Sequence, residues 1–145
     1  MTVKVRKKGR HSPSDYLYGV EVRMATILVI EDNPQNMYLC TFILENNNHM
    51  ILQAFHGPQG IAIAEEKVPD LIILDIQLPE LDGYAVAREL KKKGKTKDIP
   101  IVAVTSYAMA GDRERILASG CTGYIEKPIN PETFMSEISS HLIMN

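Results

Sequence analysis

Residues 71–83 read LIILDIQLPELDG, and the order of residue types in this stretch decides the fold. Leu71, Ile72, Ile73 and Leu74 form an unbroken apolar run that stops on a carboxylate, Asp75. A run this short, rich in branched residues and closed by a loop, reads as a strand buried on both faces. Two more runs share this character: residues 27–30 (ILVI), followed by Glu31 and Asp32, and residues 101–104 (IVAV), followed by Thr105.

Helix-length segments lie between the runs. After the first, Asn33 reads as an N-cap with Pro34 at the opening helical position, and Met37, Cys40, Thr41 and Leu44 recur at helical spacing. The asparagines at 46–48 end that helix, and a weaker strand follows at about 50–54. A second helix is expected at about 59–67, closed by Pro69, and a third from the loop at 78–83 to about Lys92. The charged stretch 91–98 reads as a solvated connection. A fourth helix is expected at roughly 112–118 with Gly120 as its stop, then a short strand at 122–125. Asn130 and Pro131 repeat the cap-plus-proline signal for a last helix ending near Ile143. Five strands alternating with five helices predict an α/β doubly wound parallel sheet with helices on both faces, a three-layer sandwich.

Size and composition agree with one such domain. The chain has 145 residues, 45% of them hydrophobic, and no apolar run nears the roughly 20 residues that span a bilayer. The N-terminus lacks the apolar stretch of a secretory signal. Cys40 and Cys121 stand far apart, outside any metal or redox spacing, and read as buried thiols. A cytoplasmic protein without membrane insertion is expected. The net charge of −2 divides unevenly: residues 1–23 carry +4 and residues 24–145 carry −6. The first segment is expected to be a basic, flexible N-terminal extension, and the second the folded domain. Its acidic body argues against nucleic acid as a direct partner.

Every chemically suggestive residue follows a strand: Glu31 and Asp32, Asp75, Thr105, and Lys127. In a parallel sheet these positions converge on the carboxyl edge, where the crevice of an open α/β sheet lies. Three carboxylates crowded there repel one another unless a cation intervenes. A hard divalent ion, Mg²⁺ (or Mn²⁺), suits such oxygen donors. Asp32 and Asp75 are the candidate direct ligands. Glu31 would act directly or through water, and the backbone carbonyl of Gln77 could add another oxygen. A strand-end carboxylate beside a divalent ion can take up a phosphoryl group as an aspartyl-phosphate. Asp75, on the most apolar strand, is the candidate nucleophile. Lys127 would pair with the carboxylates and then the phosphate, and Thr105 would donate its hydroxyl to a phosphoryl oxygen. A haloacid-dehalogenase-type enzyme is disfavoured because Gln77, two residues past Asp75, cannot serve as a general acid. No glycine-rich nucleotide loop is present either.

The stretches 27–34 (ILVIEDNP), 71–83, 101–106 (IVAVTS) and 126–128 (EKP) resemble the receiver domains of two-component response regulators, in order and at suitable spacing. The similarity runs over about residues 25–143. It implies the strand order 2-1-3-4-5, Asp75 as phosphoacceptor, Glu31 and Asp32 as the acidic metal pair, and Lys127 as the phosphate partner. It further implies Thr105 as the switch hydroxyl, Tyr107 as the switching aromatic, and a cis bond between Lys127 and Pro128. Residues 102–128 look most like single-domain DivK-type regulators, and similar stretches occur in receivers of hybrid histidine kinases. The resemblance implies a phosphoryl donor that is a sensor histidine kinase or a histidine phosphotransfer protein. Output would pass to a downstream protein on the face of the fourth helix, last strand and last helix, because no sequence remains for an effector domain. The protein would be a monomer or weak dimer that catalyses only its own phosphorylation and dephosphorylation. The alternative is a receiver cut from a hybrid kinase. The four histidines are expected to be ordinary surface residues.

Overall fold

In the computed structural model, described residues are 2–3, 16–17, 20–21 and 24–144. Its core is a five-stranded parallel sheet built from β1 (Thr26–Ile30), β2 (Met50–Ala54), β3 (Leu71–Asp75), β4 (Ile101–Thr105) and β5 (Gly123–Glu126). The helices are α1 (Pro34–Asn46), α2 (Gly57–Lys67), α3 (Gly83–Lys92), α4 (Ala110–Ala118) and α5 (Pro131–Leu142). Strand order is β2-β1-β3-β4-β5. The register sets Ile30 beside Leu74, Asp75 beside Val104 and Thr105 beside Glu126.

All five residues of β1, β3 and β4 are buried, as their continuous apolar runs require. Alternation along each strand divides them between two layers. Leu28, Ile30, Ile72, Leu74, Ile101 and Ala103 pack toward α2, α3 and α4, through residues such as Ala64, Leu90 and Ile116. Ile27, Val29, Leu71, Ile73, Val102 and Val104 pack toward α1 and α5, against Met37, Leu44, Phe134 and Ile138. Cys40 and Cys121 are free and buried, and burial pushes the Cys40 thiol up to about 12.

The expected caps form. Asn33 Oδ1 accepts from the backbone N–H of Gln35 at 2.9 Å and Asn36 at 3.0 Å, and Asn130 Oδ1 accepts from Glu132 at 2.9 Å. Gly120 terminates the segment after α4 at a φ of 106°. Two helices start two residues earlier than their sequences suggest. At α2 the cap is His56, whose Nδ1 accepts from Gln59 N–H at 3.2 Å; Gly57-Pro58 otherwise reads as a turn. At α4, Met109 occupies the cap position without a side-chain bond, so no polar signal marks the start. His56 is exposed as expected, but two other histidines differ from simple surface residues. His49 Nδ1 accepts the Ala25 N–H at 3.1 Å, and burial lowers the pKa of both His49 and His141. His11 lies outside the described residues.

Short antiparallel pairings join Thr2–Val3 to Ile143–Met144, and Tyr16–Leu17 to Val20–Glu21. The rest of the 1–23 extension lies outside the described residues, and with it the expectation of flexibility.

Gly83 opens α3 at the tightest backbone approach near the sheet's carboxyl edge. A Cβ there would lie 2.6 Å from both the Asp75 carbonyl oxygen and the Ile76 Cα. Gly83→Ala is therefore expected to destabilise the domain by about 1–3 kcal/mol in urea unfolding. Gly94→Ala, where a Cβ meets nothing within 4 Å, should stay within about 0.5 kcal/mol of the parent.

Candidate functional site

Each polar residue singled out by its place after a strand reaches the carboxyl edge. Glu31 continues β1, with its N–H bonded to the Ala54 carbonyl at 3.0 Å. Asp75 closes β3 and is 2% exposed. Glu31, Asp32 and Asp75 each offer a carboxylate oxygen, and these atoms lie within 4.8 Å of one another. Glu31 and Asp75 are buried, while Asp32 is exposed at the mouth.

Lys127 enters from the loop after β5, and its peptide to Pro128 is cis. Its backbone N–H is anchored on the Thr105 carbonyl at 2.8 Å. The ammonium lies 3.3 Å from Glu31 Oε1 and 3.2 Å from Asp75 Oδ1. Burial disfavours the charged Lys127, but the Asp75 and Glu31 carboxylates outweigh it, so its pKa sits above the usual lysine value. One ammonium does not fully balance the acids. Burial, reinforced by the Asp75 carboxylate, pushes Glu31 up to about 7, although the Asn33 N–H donates to its Oε2 at 3.1 Å and works in the opposite direction.

The Thr105 hydroxyl is wholly buried and fully used. It accepts from Gln77 Nε2 and from the Tyr107 N–H, and donates to the Tyr107 carbonyl, each at 3.0 Å. A hydroxyl has one proton and two lone pairs, so no further bond is available without rotation. Tyr107 is 63% exposed.

Sequence reasoning missed two features here. Gln77 contributes its side chain as well as its backbone: its N–H donates to Asp75 Oδ1 at 3.0 Å, and its Oε1 accepts from the Ser106 N–H at 3.2 Å. It thereby ties the loop after β3 to the loop after β4. Tyr124, three residues before Lys127 and beside Ala103, carries the Arg113 guanidinium 5.7 Å from its ring centroid. Arg115 lies 4.0 Å over the Tyr84 ring. Periodicity gives no signal for such pairings between elements.

The response regulator receiver domain family matches residues 27–139. The chain belongs to this family. It is 40% identical over 117 residues to the polar-differentiation response regulator DivK of Brucella anthropi, covering 81% of this chain and 95% of that protein. DivK of Brucella melitensis is similar to the same extent. Among solved structures, it resembles the receiver domain of a Pseudomonas aeruginosa sensor histidine kinase, described with a magnesium ion coordinated in its active-site cleft. There the TM-score is 0.75 at 31% identity, covering 81% of this chain and 97% of the other. A Vibrio cholerae chemotaxis protein, CheY4, shares the fold at a TM-score of 0.78 and 24% identity, over 81% and 98% of the two chains. As a receiver domain the chain is a signalling phosphoacceptor, of a kind that interacts with histidine kinases or phosphotransfer proteins and with downstream targets. Among the described residues, no helix is long and apolar enough to cross a membrane.

The raised Glu31 value has a definite sign in stability. Its folded value lies above the ordinary 4.5, so its contribution is full below about pH 4.5 and is lost as pH rises through about 7. In EDTA, Glu31→Gln is expected to gain on the order of 1–3 kcal/mol relative to the parent at pH 8, and little at pH 4.5, in thermal melts. An equal effect at both pH values would show that the buried site does not disfavour the Glu31 carboxylate.

Proposed function

We propose that the chain is a stand-alone, cytoplasmic response regulator of a two-component phosphorelay in which Asp75 is the phosphoacceptor. The observation that carries this reading is the Asp75 carboxylate: buried at the end of the central strand, 3.2 Å from Lys127 Nζ, and within one acidic cluster with Glu31 and Asp32. The 40% identity to DivK over 95% of that protein's length supports the response-regulator reading.

The donor set fits a hard divalent cation, because all three side chains present carboxylate oxygens close enough to share one ion. Asp32 and Asp75 would hold Mg²⁺ (or Mn²⁺) directly. Glu31 would do so directly or through water, and the Gln77 backbone carbonyl would complete the protein's share. When bound, Mg²⁺ supplies positive charge to the carboxylates and to the phosphoryl oxygens. The Asp75 carboxylate forms the new P–O bond as the P–N bond of a donor phosphohistidine breaks, and the donor imidazole leaves. Lys127 then pairs with the phosphoryl oxygens.

Thr105 is the switch hydroxyl in this proposal. To donate to the phosphoryl group it must give up its bond to the Tyr107 carbonyl, and its acceptor role toward Gln77 and the Tyr107 N–H changes with it. That rotation frees the 105–107 segment, lets the Tyr107 ring move inward, and alters the surface of α4, β5 and α5 on which a downstream protein docks. The exchange is a shift between two populated conformations. The protein acts as a monomer or weak dimer and catalyses only its own phosphorylation and dephosphorylation.

Intact-mass spectrometry after incubation with acetyl phosphate and Mg²⁺ tests the assignment. One added phosphoryl group is expected in the parent, and none in Asp75→Asn or in EDTA; an adduct that survives Asp75→Asn would move the acceptor elsewhere. Mg²⁺ binding should also release the Glu31 proton. Affinity by titration calorimetry is accordingly expected to be roughly tenfold weaker at pH 6 than at pH 8, with the change centred near 7. A pH-independent affinity would remove Glu31 from the metal site.

A further inference from the structure

Gln77 stands on a fixed base. The Ile76 N–H donates to the Val104 carbonyl at 3.0 Å, and the Ile76 carbonyl accepts the Gly83 N–H at 3.0 Å. The Gln77 N–H is itself tied to Asp75 Oδ1 at 3.0 Å. From this base the side chain reaches the loop after β4, and the groups it meets there fix its orientation. A backbone N–H can only donate, so the Ser106 N–H, at 3.2 Å, identifies the Gln77 amide oxygen. The amide nitrogen, which only donates, therefore faces Thr105 Oγ1 at 3.0 Å.

That bond decides where the Thr105 proton points. Gln77 occupies one lone pair of the hydroxyl and the Tyr107 N–H occupies the other, also at 3.0 Å. The proton is left to the Tyr107 carbonyl at 3.0 Å and is directed away from Asp75. Thr105 is wholly buried, so bulk water does not replace a bond it loses. The two donors differ in what carries them. The Tyr107 N–H belongs to the same turn as the hydroxyl, whereas Gln77 belongs to the loop that follows Asp75 and holds Thr105 and Ser106 together.

We propose that Gln77 is a positioning residue, a latch that aims the Thr105 proton away from the crevice and opposes its donation to a phosphoryl group, resting on the readings of Asp75 as phosphoacceptor and Thr105 as switch hydroxyl. Without the Gln77 amide, one lone pair of Thr105 is released. The proton can then turn into that position, on the side of the loop that follows Asp75, while the Tyr107 N–H bond is kept. The resting population falls, and a ligand that selects the switched conformation binds more tightly in proportion. Gln77 is exposed, so its side chain can be exchanged without disturbing the core.

The test titrates beryllium trifluoride, a tetrahedral stand-in for the phosphoryl group, at saturating Mg²⁺, with the bound form read by ¹⁹F NMR. Gln77→Met keeps the chain length and lacks the amide. It is expected to bind the analogue about fivefold more tightly than the parent, the size of one neutral hydrogen bond, and Gln77→Ala should do the same. In a Thr105→Val background, which keeps the shape without the hydroxyl, the change at Gln77 should alter affinity by less than about twofold. A role confined to stability would move the melting temperature and leave the affinity unchanged. Equal or weaker binding by Gln77→Met, or an equal gain in the Thr105→Val background, overturns the latch and leaves Asp75 as acceptor. Absence of Mg²⁺-dependent binding by the parent, or binding that survives Asp75→Asn, overturns the phosphoacceptor reading and the latch with it.

Discussion

Lys127 stands 3.3 Å from Glu31 and 3.2 Å from Asp75, and without its ammonium two buried carboxylates would face each other across the end of the sheet. Taking charges out of water is costly, and removing one partner from such a group leaves the others uncompensated. The position of Lys127 is therefore fixed from several directions. Its backbone N–H holds the Thr105 carbonyl, and the cis peptide to Pro128 sets the path of the chain toward α5. The compensation is incomplete: Glu31 is pushed up to about 7, mainly by burial and against the pull of the Asn33 N–H. A crevice left short of positive charge favours a cation, and the exposed Asp32 extends the acidic cluster toward solvent.

The surroundings of this cluster differ in how firmly they are held. α3 buries Gly83, Tyr84, Val86, Ala87 and Leu90, whereas α4 buries Ile116 alone. α4 is held in addition by Arg115 over the buried Tyr84 ring and by Arg113 over Tyr124. Of these two helices α4 thus has much the smaller buried apolar area. The Thr105 hydroxyl is saturated, so any new bond it makes requires an old one to break.

Much of this was legible in the chain. The runs 27–30, 71–74 and 101–104 specified buried parallel strands because only residues covered on both faces can be apolar without interruption. Asn33-Pro34 and Asn130-Pro131 marked their helix starts because cap and proline chemistry is local. Where the cap was an unusual residue, as at His56, or carried no side-chain bond, as at Met109, the helix start was hidden. Glu31, Asp32, Asp75, Thr105 and Lys127 were legible as a group because a parallel sheet brings every strand's carboxyl end to one edge.

The sequence by itself thus determined the elements, the layering, and which polar residues share an edge, since all three follow from hydrophobic pattern and chain direction. Only the tertiary structure decided which of those residues touch. The bridge from Gln77 to Thr105 and Ser106, the ring contacts of Arg113 and Arg115, and the His49 bond to Ala25 each join residues far apart in sequence. Their distances depend on how the loops and helices settle against the sheet. Periodicity has no access to that geometry, because it reports which face a residue occupies and not which neighbour it meets there.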